Sequence, residues 1–335
     1  MVRGFEDVWR PPVGRPRRPE AVLRMPAGGA DVRARLARIV QRAPEVIVKV
    51  TGRTRDPAHL RAHLDYVTRN GALKLEGPDG WALDRAGVRD LGDAWSAAAM
   101  ADSRRRANTP VSLSIVLSMP EKTDPASVRD ATRAFAAEMF GGAFDYGFVL
   151  HTDEPYPHVH VTVCCLGYGG ERLNPRKADL EAWRQGFARA LRDRGVAAEA
   201  TPRRARGITR KPEATPIRKL RERAAAGLGV PGRVQRSAYQ AAAQAAFGGG
   251  VEATAWDRRI IQRQRQVRAL YLGQARLLQG SADPGDQALG RAVEAFVQEM
   301  PAPDTQRLAL ARELRAANAR LGPEPRIGRD PERTR

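Results

Sequence analysis

The segment His151-Thr-Asp-Glu-Pro-Tyr-Pro-His158-Val-His160-Val-Thr-Val constrains this chain more than any other stretch of it. Tyr146–His151 and His158–Leu166 read as two strands joined by a short acidic, proline-containing connection. On a strand, residues two apart share a face, so His158 and His160 project together while Val159, Val161 and Val163 face a core. His151 ends the preceding strand, and the short connection folds its imidazole back beside the other two. Three neutral imidazole nitrogens are thereby offered to one divalent cation, with coordination positions left open for a substrate oxygen. Three of the chain's five histidines lie in these ten positions, which makes a metal site the natural reading. Asp153 stands where it can accept the other N–H of a ligating histidine and fix its tautomer. Taken alone, such a site also suits a hydrolase that activates water, or a small-molecule metalloenzyme.

The rest of the chain supplies the frame for this strand pair. A helix is expected over 31–42, then a β-branched, alternating strand from Glu45 to Thr51. Asp56 and Pro57 are an N-cap and a first-turn residue for a helix whose buried face is Leu60, Leu64 and Val67, and Asn70-Gly71 stops it. A second strand is expected over Ala72–Glu76, a helix over 84–101, and a strong strand over Val111–Met119. Asp124-Pro125 opens a helix to about Phe140, closed by Gly141-Gly142. A further helix covers 177–194, and Val196–Ala200 is expected as a last short strand. Strands interrupted by single helices, with one tight strand pair, indicate an α+β sheet packed against helices.

Charge narrows the partner. Lys and Arg number 57 against 38 Asp and Glu, a formal charge of +19, which points to nucleic acid or an anionic surface. No apolar run approaches the ~18 residues of a membrane span. The Arg- and Pro-rich residues 1–30 read as a flexible basic arm without the apolar core of a secretory signal, so a cytoplasmic location is expected. Cys164 and Cys165 are adjacent in a strand and point to opposite faces, a poor geometry for a mutual disulfide. After about residue 205 the composition changes: residues 201–335 hold 26 Lys and Arg against 13 Asp and Glu, a net of +13, with glycine breaks between Ala-, Gln- and Arg-rich helical stretches. A basic helical appendage is expected there.

Three blocks then resemble a known family. His63-Leu-Asp-Tyr66-Val-Thr-Arg69-Asn-Gly-Ala-Leu-Lys74-Leu-Glu76 is similar to the first motif of mobilisation relaxases. Ser112-Leu-Ser-Ile-Val-Leu-Ser118-Met-Pro, with Ala136-Ala-Glu-Met-Phe-Gly141 after its helix, resembles their second, and the histidine-rich segment resembles their third, the HUH element. The blocks occur in the family's order over about residues 45–210, and relaxases of the T-DNA border endonuclease type of tumour-inducing plasmids are the nearest in pattern. The resemblance implies an HUH relaxase domain over 31–205, built on a central antiparallel sheet packed against helices, with a basic helical region over 206–335.

It also implies residue roles. Tyr66 falls on the nucleophilic tyrosine, which keeps the 5′ end of the nicked strand as a phosphotyrosine ester. Ser118 falls on a serine that holds DNA beside the cleavage point, His151, His158 and His160 on the metal ligands, and Asp153 on the acid that accompanies them. Mg²⁺ or Mn²⁺ is the implied cofactor, although nitrogen ligation also suits Zn²⁺ or Ni²⁺. A phenol with pKa ~10 needs a base or a nearby positive charge to become a nucleophile. Arg69 and Lys74, flanking the tyrosine, read equally as phosphate contacts or as solvated charge, while His59 and His63 read as surface residues. The implied partners are origin-of-transfer DNA, accessory relaxosome proteins and a type IV coupling protein, with passage to a recipient alongside the bound strand. The tail Arg326–Arg335 is similar to the Arg-rich tails that relaxases present to type IV secretion systems. Two rivals stand beside this reading: a replication initiator or transposase with the same HUH chemistry, and a relative that binds origin DNA without cleaving it. The tyrosine standing before the histidines argues against the first, and the intact Tyr66 and histidines against the second.

Overall fold

The computed structural model describes residues 29–209, 213, 215–248 and 253–321, so the tail from Arg326 and nearly all of the 1–30 arm lie outside the described residues. The chain divides into two compact units between Pro202 and Arg203.

The first unit runs α1 (Gly29–Val40), β1 (Ile47–Thr54), α2 (Pro57–Val67), β2 (Leu75–Glu76), β3 (Ala82–Leu83), α3 (Arg85–Ala101), β4 (Ser112–Ser118), α4 (Pro125–Met139), β5 (Tyr146–His151), β6 (His158–Cys164) and α5 (Lys177–Arg192). The strands form one six-stranded sheet in the order β1-β4-β6-β5-β2-β3, antiparallel at every pairing. The fold is α+β, as the sequence indicates. Period-two alternation sets its two faces. Val48, Leu113, Ile115, Leu117, Val159, Val161 and Val163 are buried against Val128 and Phe135 of α4 and Phe187 and Leu191 of α5. Each fully buried side chain of this kind contributes roughly 1.5–3 kcal/mol.

The opposite face is divided. At one end Leu60, Leu64 and Val67 of α2 and Val88, Trp95 and Ala99 of α3 cover Leu75, Val149 and Cys164. Gly147 lets this layer close: a Cβ there would stand 2.2 Å from Cδ2 of the buried Leu75. The other end of the face carries the histidines.

Several boundaries differ from the sequence expectation. Of the strand expected over Ala72–Glu76 only Leu75–Glu76 pairs, and Ala82–Leu83, which no run of β-formers announces, pairs with it. Val196–Ala200 is not a strand: Glu199 makes one isolated bridge to Glu45. Its backbone bonds at Glu199 go to Pro44 (2.9 Å) and Val46 (3.1 Å), and the buried Glu199 carboxylate is paired with Arg38 (2.6 Å) and Arg35 (3.6 Å) and accepts from the Thr201 hydroxyl. Cys164 and Cys165 are free thiols.

The second unit has a short 3-10 turn (Arg203–Arg206) and the helices α6 (Thr215–Ala225), α7 (Arg233–Phe247), α8 (Ala255–Gln279), α9 (Pro284–Gln298) and α10 (Gln306–Leu321). Thr254 and Asp257 form a reciprocal capping box that starts α8. Val267, Tyr271 and Ala275 of α8 are buried with Val293 and Val297 of α9, and Tyr271 meets Phe296 edge-on at 5.9 Å. This is the basic helical region, and it has a core of its own.

Candidate active site

The register across three strands builds the site. Ile47 of β1 pairs with Ser118 of β4, Ser118 with His158 of β6, and His158 with His151 of β5. Two residues along, Lys49, Val116, His160 and Val149 form the next row on the same face, and Ser114, Thr162 and Gly147 belong to a third. Cross-strand partners share a face. All three histidines therefore stand on the same side of the sheet, at its open end.

Their rings are packed together, with centroids 4.5 Å apart for His151–His160, 5.2 Å for His151–His158 and 5.3 Å for His158–His160. One nitrogen from each can be chosen so that all three lie within 4.8 Å of one another, the single such group of potential metal ligands among the described residues. Hydrogen bonds assign two of the lone pairs. A carbonyl only accepts, so Nε2–H of the buried His151 donates to Val67 (2.7 Å) and Nδ1 keeps the lone pair. Likewise His158 Nδ1–H donates to the Tyr156 carbonyl (3.3 Å), leaving Nε2 free to ligate. Burial, the neighbouring imidazoles and Arg69 push His160 down to about 3. Burial foremost also lowers His151, although its bond to Val67 opposes the shift. Both imidazoles are thus held neutral, the state a metal requires of a histidine. The donor set fits one divalent cation.

Helix α2 brings the tyrosine. Asp56 caps its start by accepting from the His59 N–H (2.8 Å), Pro57 occupies the first turn, and the Thr68 hydroxyl donates to the Leu64 carbonyl (2.7 Å) at its end. With Leu60, Leu64 and Val67 buried, Tyr66 is turned outward and is 58% exposed. Its ring meets that of His160 edge-on at 6.0 Å. The phenol thus stands exposed beside the three-histidine cluster and is not packed into the core.

After the helix, Arg69, Asn70 and Gly71 all adopt positive φ (52°, 58° and 88°). Asparagine and glycine adopt this left-handed conformation readily, whereas for Arg69 it is strained, and such strain clusters at functional sites. At Gly71 a Cβ would also stand 2.7 Å from the Arg85 Cβ. The turn sends the Arg69 guanidinium back over the site. Its Cζ lies 5.5 Å from the Tyr66 ring centroid, it is ion-paired with Asp153, and it donates to His151 Nδ1 (3.2 Å). Arg69 and a cation therefore address the same lone pair.

Asp153 is exposed and lies 4.0 Å from His151 Nδ1, while the N–H of that imidazole goes to Val67. Its carboxyl is held below the ordinary value: desolvation opposes this, but its own backbone N–H, Arg69 and the histidines outweigh it. Ser118 shares the sheet face with His158, and its hydroxyl donates to the Met119 carbonyl (3.4 Å). Lys74 is exposed just before β2.

Two further residues stand at this face of the sheet, one read from the sequence as a surface residue and one not singled out there. His63, read as a surface residue, is half-buried one turn before Tyr66, with Nε2 within hydrogen-bond distance of Ser114 Oγ (2.9 Å) and Thr162 Oγ1 (3.0 Å). Its burial could not be read from the helix alone, because its partners are 51 and 99 residues away. Lys49 is exposed in the same row as His160. Its signal was present in Val-Lys-Val alternation, which turns lysine to the face opposite the core.

Comparisons with known proteins agree with the second and third motifs. Residues 79–196 match the family model described as "Relaxase: MobA/VirD2-like, nuclease domain", a range that begins after Tyr66. Over 190 residues the chain is 29% identical to the T-DNA border endonuclease VirD2 of Rhizobium radiobacter, covering 50% of this chain and 44% of that protein. A second VirD2, from Agrobacterium fabrum (strain C58), is 29% identical over 191 residues, covering 50% and 42%. The matched stretch spans less than half the length of these relatives. A solved structure described as "Molecular Basis of Vancomycin Resistance Transfer in Staphylococcus aureus" aligns at 15% identity with a TM-score of 0.32, covering 48% of this chain and 98% of that one. The resemblance to relaxases of the VirD2 type is borne out by the family model and the curated relatives.

Proposed function

We propose that this chain is a site- and strand-specific DNA nickase that acts at an origin of transfer by metal-assisted transesterification. The observation that carries the reading is an exposed Tyr66 set 6.0 Å from His160 of a three-histidine cluster, with Arg69 beside both.

In the reaction, the Tyr66 phenolic oxygen attacks the scissile phosphorus, its proton departs, the P–O3′ bond breaks, and the 3′ oxygen takes up a proton. One phosphodiester is exchanged for another, so the 5′ phosphotyrosyl ester keeps the bond energy and the strand can be re-ligated. His151, His158 and His160 would hold a divalent cation, Mg²⁺ or Mn²⁺, with His151 Nδ1 giving up its bond to Arg69, and the cation would supply neutralisation of charge on the phosphoryl oxygens. The Arg69 guanidinium adds positive charge beside the attacking ring and the reacting phosphate. Asp153 anchors that guanidinium, and the Val67 carbonyl fixes the His151 tautomer. Ser118, Lys74 and Lys49 are the contacts offered to the DNA strand.

On this reading the nickase domain spans 31–205, preceded by a basic arm and followed by a basic region over 206–335. Accessory DNA-binding proteins and a type IV coupling protein are its partners, and the protein travels with the transferred strand. No helix among the described residues is long and apolar enough to cross a membrane.

The test uses purified protein, Mg²⁺ or Mn²⁺, and supercoiled DNA spanning the transfer origin of the source element. After denaturation and proteolysis, nicked DNA should carry the Tyr66 peptide. The adduct should vanish with Tyr66→Phe and in EDTA. Nicking that persists in Tyr66→Phe would overturn the tyrosyl mechanism in favour of a metal-activated water.

A further inference from the structure

Helix α8 presents a surface whose chemistry the nicking site does not use. Its 25 residues contain six arginines and one acid, Asp257. That acid is buried and already satisfied, bonded to Thr254 and Thr305 and ion-paired with Arg307. The helix's own carboxylate is thus committed inward, and its outer side is basic.

The inner side is fixed by Gln264, Val267, Tyr271 and Ala275, all buried. At 3.6 residues per turn this forces Arg258, Arg259, Gln262, Arg263 and Arg265 outward, and each is exposed. Trp256 stands in the first turn at the flank of this side and is 68% exposed. Spacings of three and four residues put Trp256, Arg259 and Arg263 in one stripe along the helix.

A planar apolar ring followed by guanidinium groups is the donor set that holds an unpaired nucleic-acid strand: the ring stacks on a base and the arginines meet phosphates. The alternatives fit less well. A membrane-surface helix needs a broad apolar face to immerse, and this side carries one tryptophan among arginines and a glutamine. Duplex DNA would engage the arginines but hides its base faces from Trp256. The surrounding charge agrees, since residues 201–335 hold 26 basic against 13 acidic side chains.

We propose that the outer side of α8, from Trp256 to Arg265, is a second DNA-binding site, which holds single-stranded DNA without regard to sequence. Trp256 supplies stacking and Arg259 and Arg263 supply phosphate contacts. The proposal does not depend on the nicking chemistry.

The experiment uses the full chain carrying Tyr66→Phe, in EDTA, with a fluorescent oligo-dT strand that contains no transfer-origin sequence. Affinity is read by anisotropy between 50 and 300 mM NaCl. Trp256→Ala should weaken binding by about tenfold at every salt concentration with the salt slope unchanged, and Trp256→Phe should restore most of it. Arg259→Gln with Arg263→Gln should weaken binding most at low salt and reduce the slope by about 1.4, or ~0.7 for each arginine–phosphate pair removed. A strand bearing 5-iododeoxyuridine should photo-crosslink to the peptide containing Trp256. Unchanged affinity in both variants, crosslinking only to other peptides, or equal binding of duplex that ignores Trp256→Ala would each overturn the proposal. Because nicking is disabled throughout, a failure here is distinct from a failure of the nickase reading.

Discussion

Replacing His63 with leucine tests whether α2, the helix that carries Tyr66, is held in register by the polar contacts of that one side chain. Three links tie α2 to the sheet below it: His63 to Ser114 and Thr162, the Tyr66 ring to His160, and the Val67 carbonyl to His151. Leu60, Leu64 and Val67 add apolar contact, which is non-directional and tolerates sliding. His63 is the one directional link made by a side chain outside the proposed chemistry. Ser114 and Thr162 are 3% and 1% exposed, so His63→Leu strips two buried hydroxyls of their partner. A buried polar group left unpaired costs ~1–3 kcal/mol. These two are register partners on adjacent strands and can turn to each other, which leaves about one group uncompensated. The expected destabilisation is ~1.5 kcal/mol, a Tm fall of about 3–6 °C for a domain of this size. The kinetic effect should be larger. A shift of about 1 Å at the reacting group can cost ~100-fold, so single-turnover adduct formation at saturating DNA should fall ~10–100-fold. DNA affinity should stay within about threefold, and His63→Gln, which keeps one hydrogen-bonding arm, should recover much of the rate. The reasoning fails if His63→Leu leaves Tm and adduct rate unchanged, or if the rate falls only through weaker DNA binding.

Three further perturbations follow from the same geometry. Glu199→Ala leaves Arg35 and Arg38 facing a buried gap and should cost ~3–5 kcal/mol in urea unfolding. A change under 1 kcal/mol would show that the pair is not structural. Gly147→Ala forces a Cβ against the buried Leu75 and should cost ~1–3 kcal/mol. A neutral outcome would mean that the β2 layer yields easily. The acid response has a definite sign. His63, His151 and His160 all have lowered folded values, burial being the first cause for each, so the unfolded chain binds more protons below its ordinary ~6.5. Stability of EDTA-treated protein should therefore be full above about pH 6.5 and decline as pH falls from there towards 4. A Tm that rises on acidification over that window would contradict the burial of these imidazoles.

What the sequence determined by itself was local and periodic. Alternation in β6 fixed that His158 and His160 share a face opposite Val159 and Val161. The pairing of an Asp cap with proline fixed the start of α2, and the aliphatic spacing within that helix fixed its buried side and so the outward turn of Tyr66. These follow from backbone geometry within a few residues, which any chain carrying the same run must obey. Tertiary structure decided the rest. The two-residue strands β2 and β3 exist because neighbours pair with them, not because their residues favour strand. Glu199 is held by arginines of α1 more than 160 positions away, which converts an expected strand into an ion-paired segment. His63 became a buried link only when β4 and β6 supplied hydroxyls beneath it. The guanidinium of Arg69 reached Asp153 and His151 only because a left-handed turn after α2 meets the β5–β6 connection. Side-chain partners separated by 50–160 residues are set by how the layers pack, and no local pattern encodes that distance.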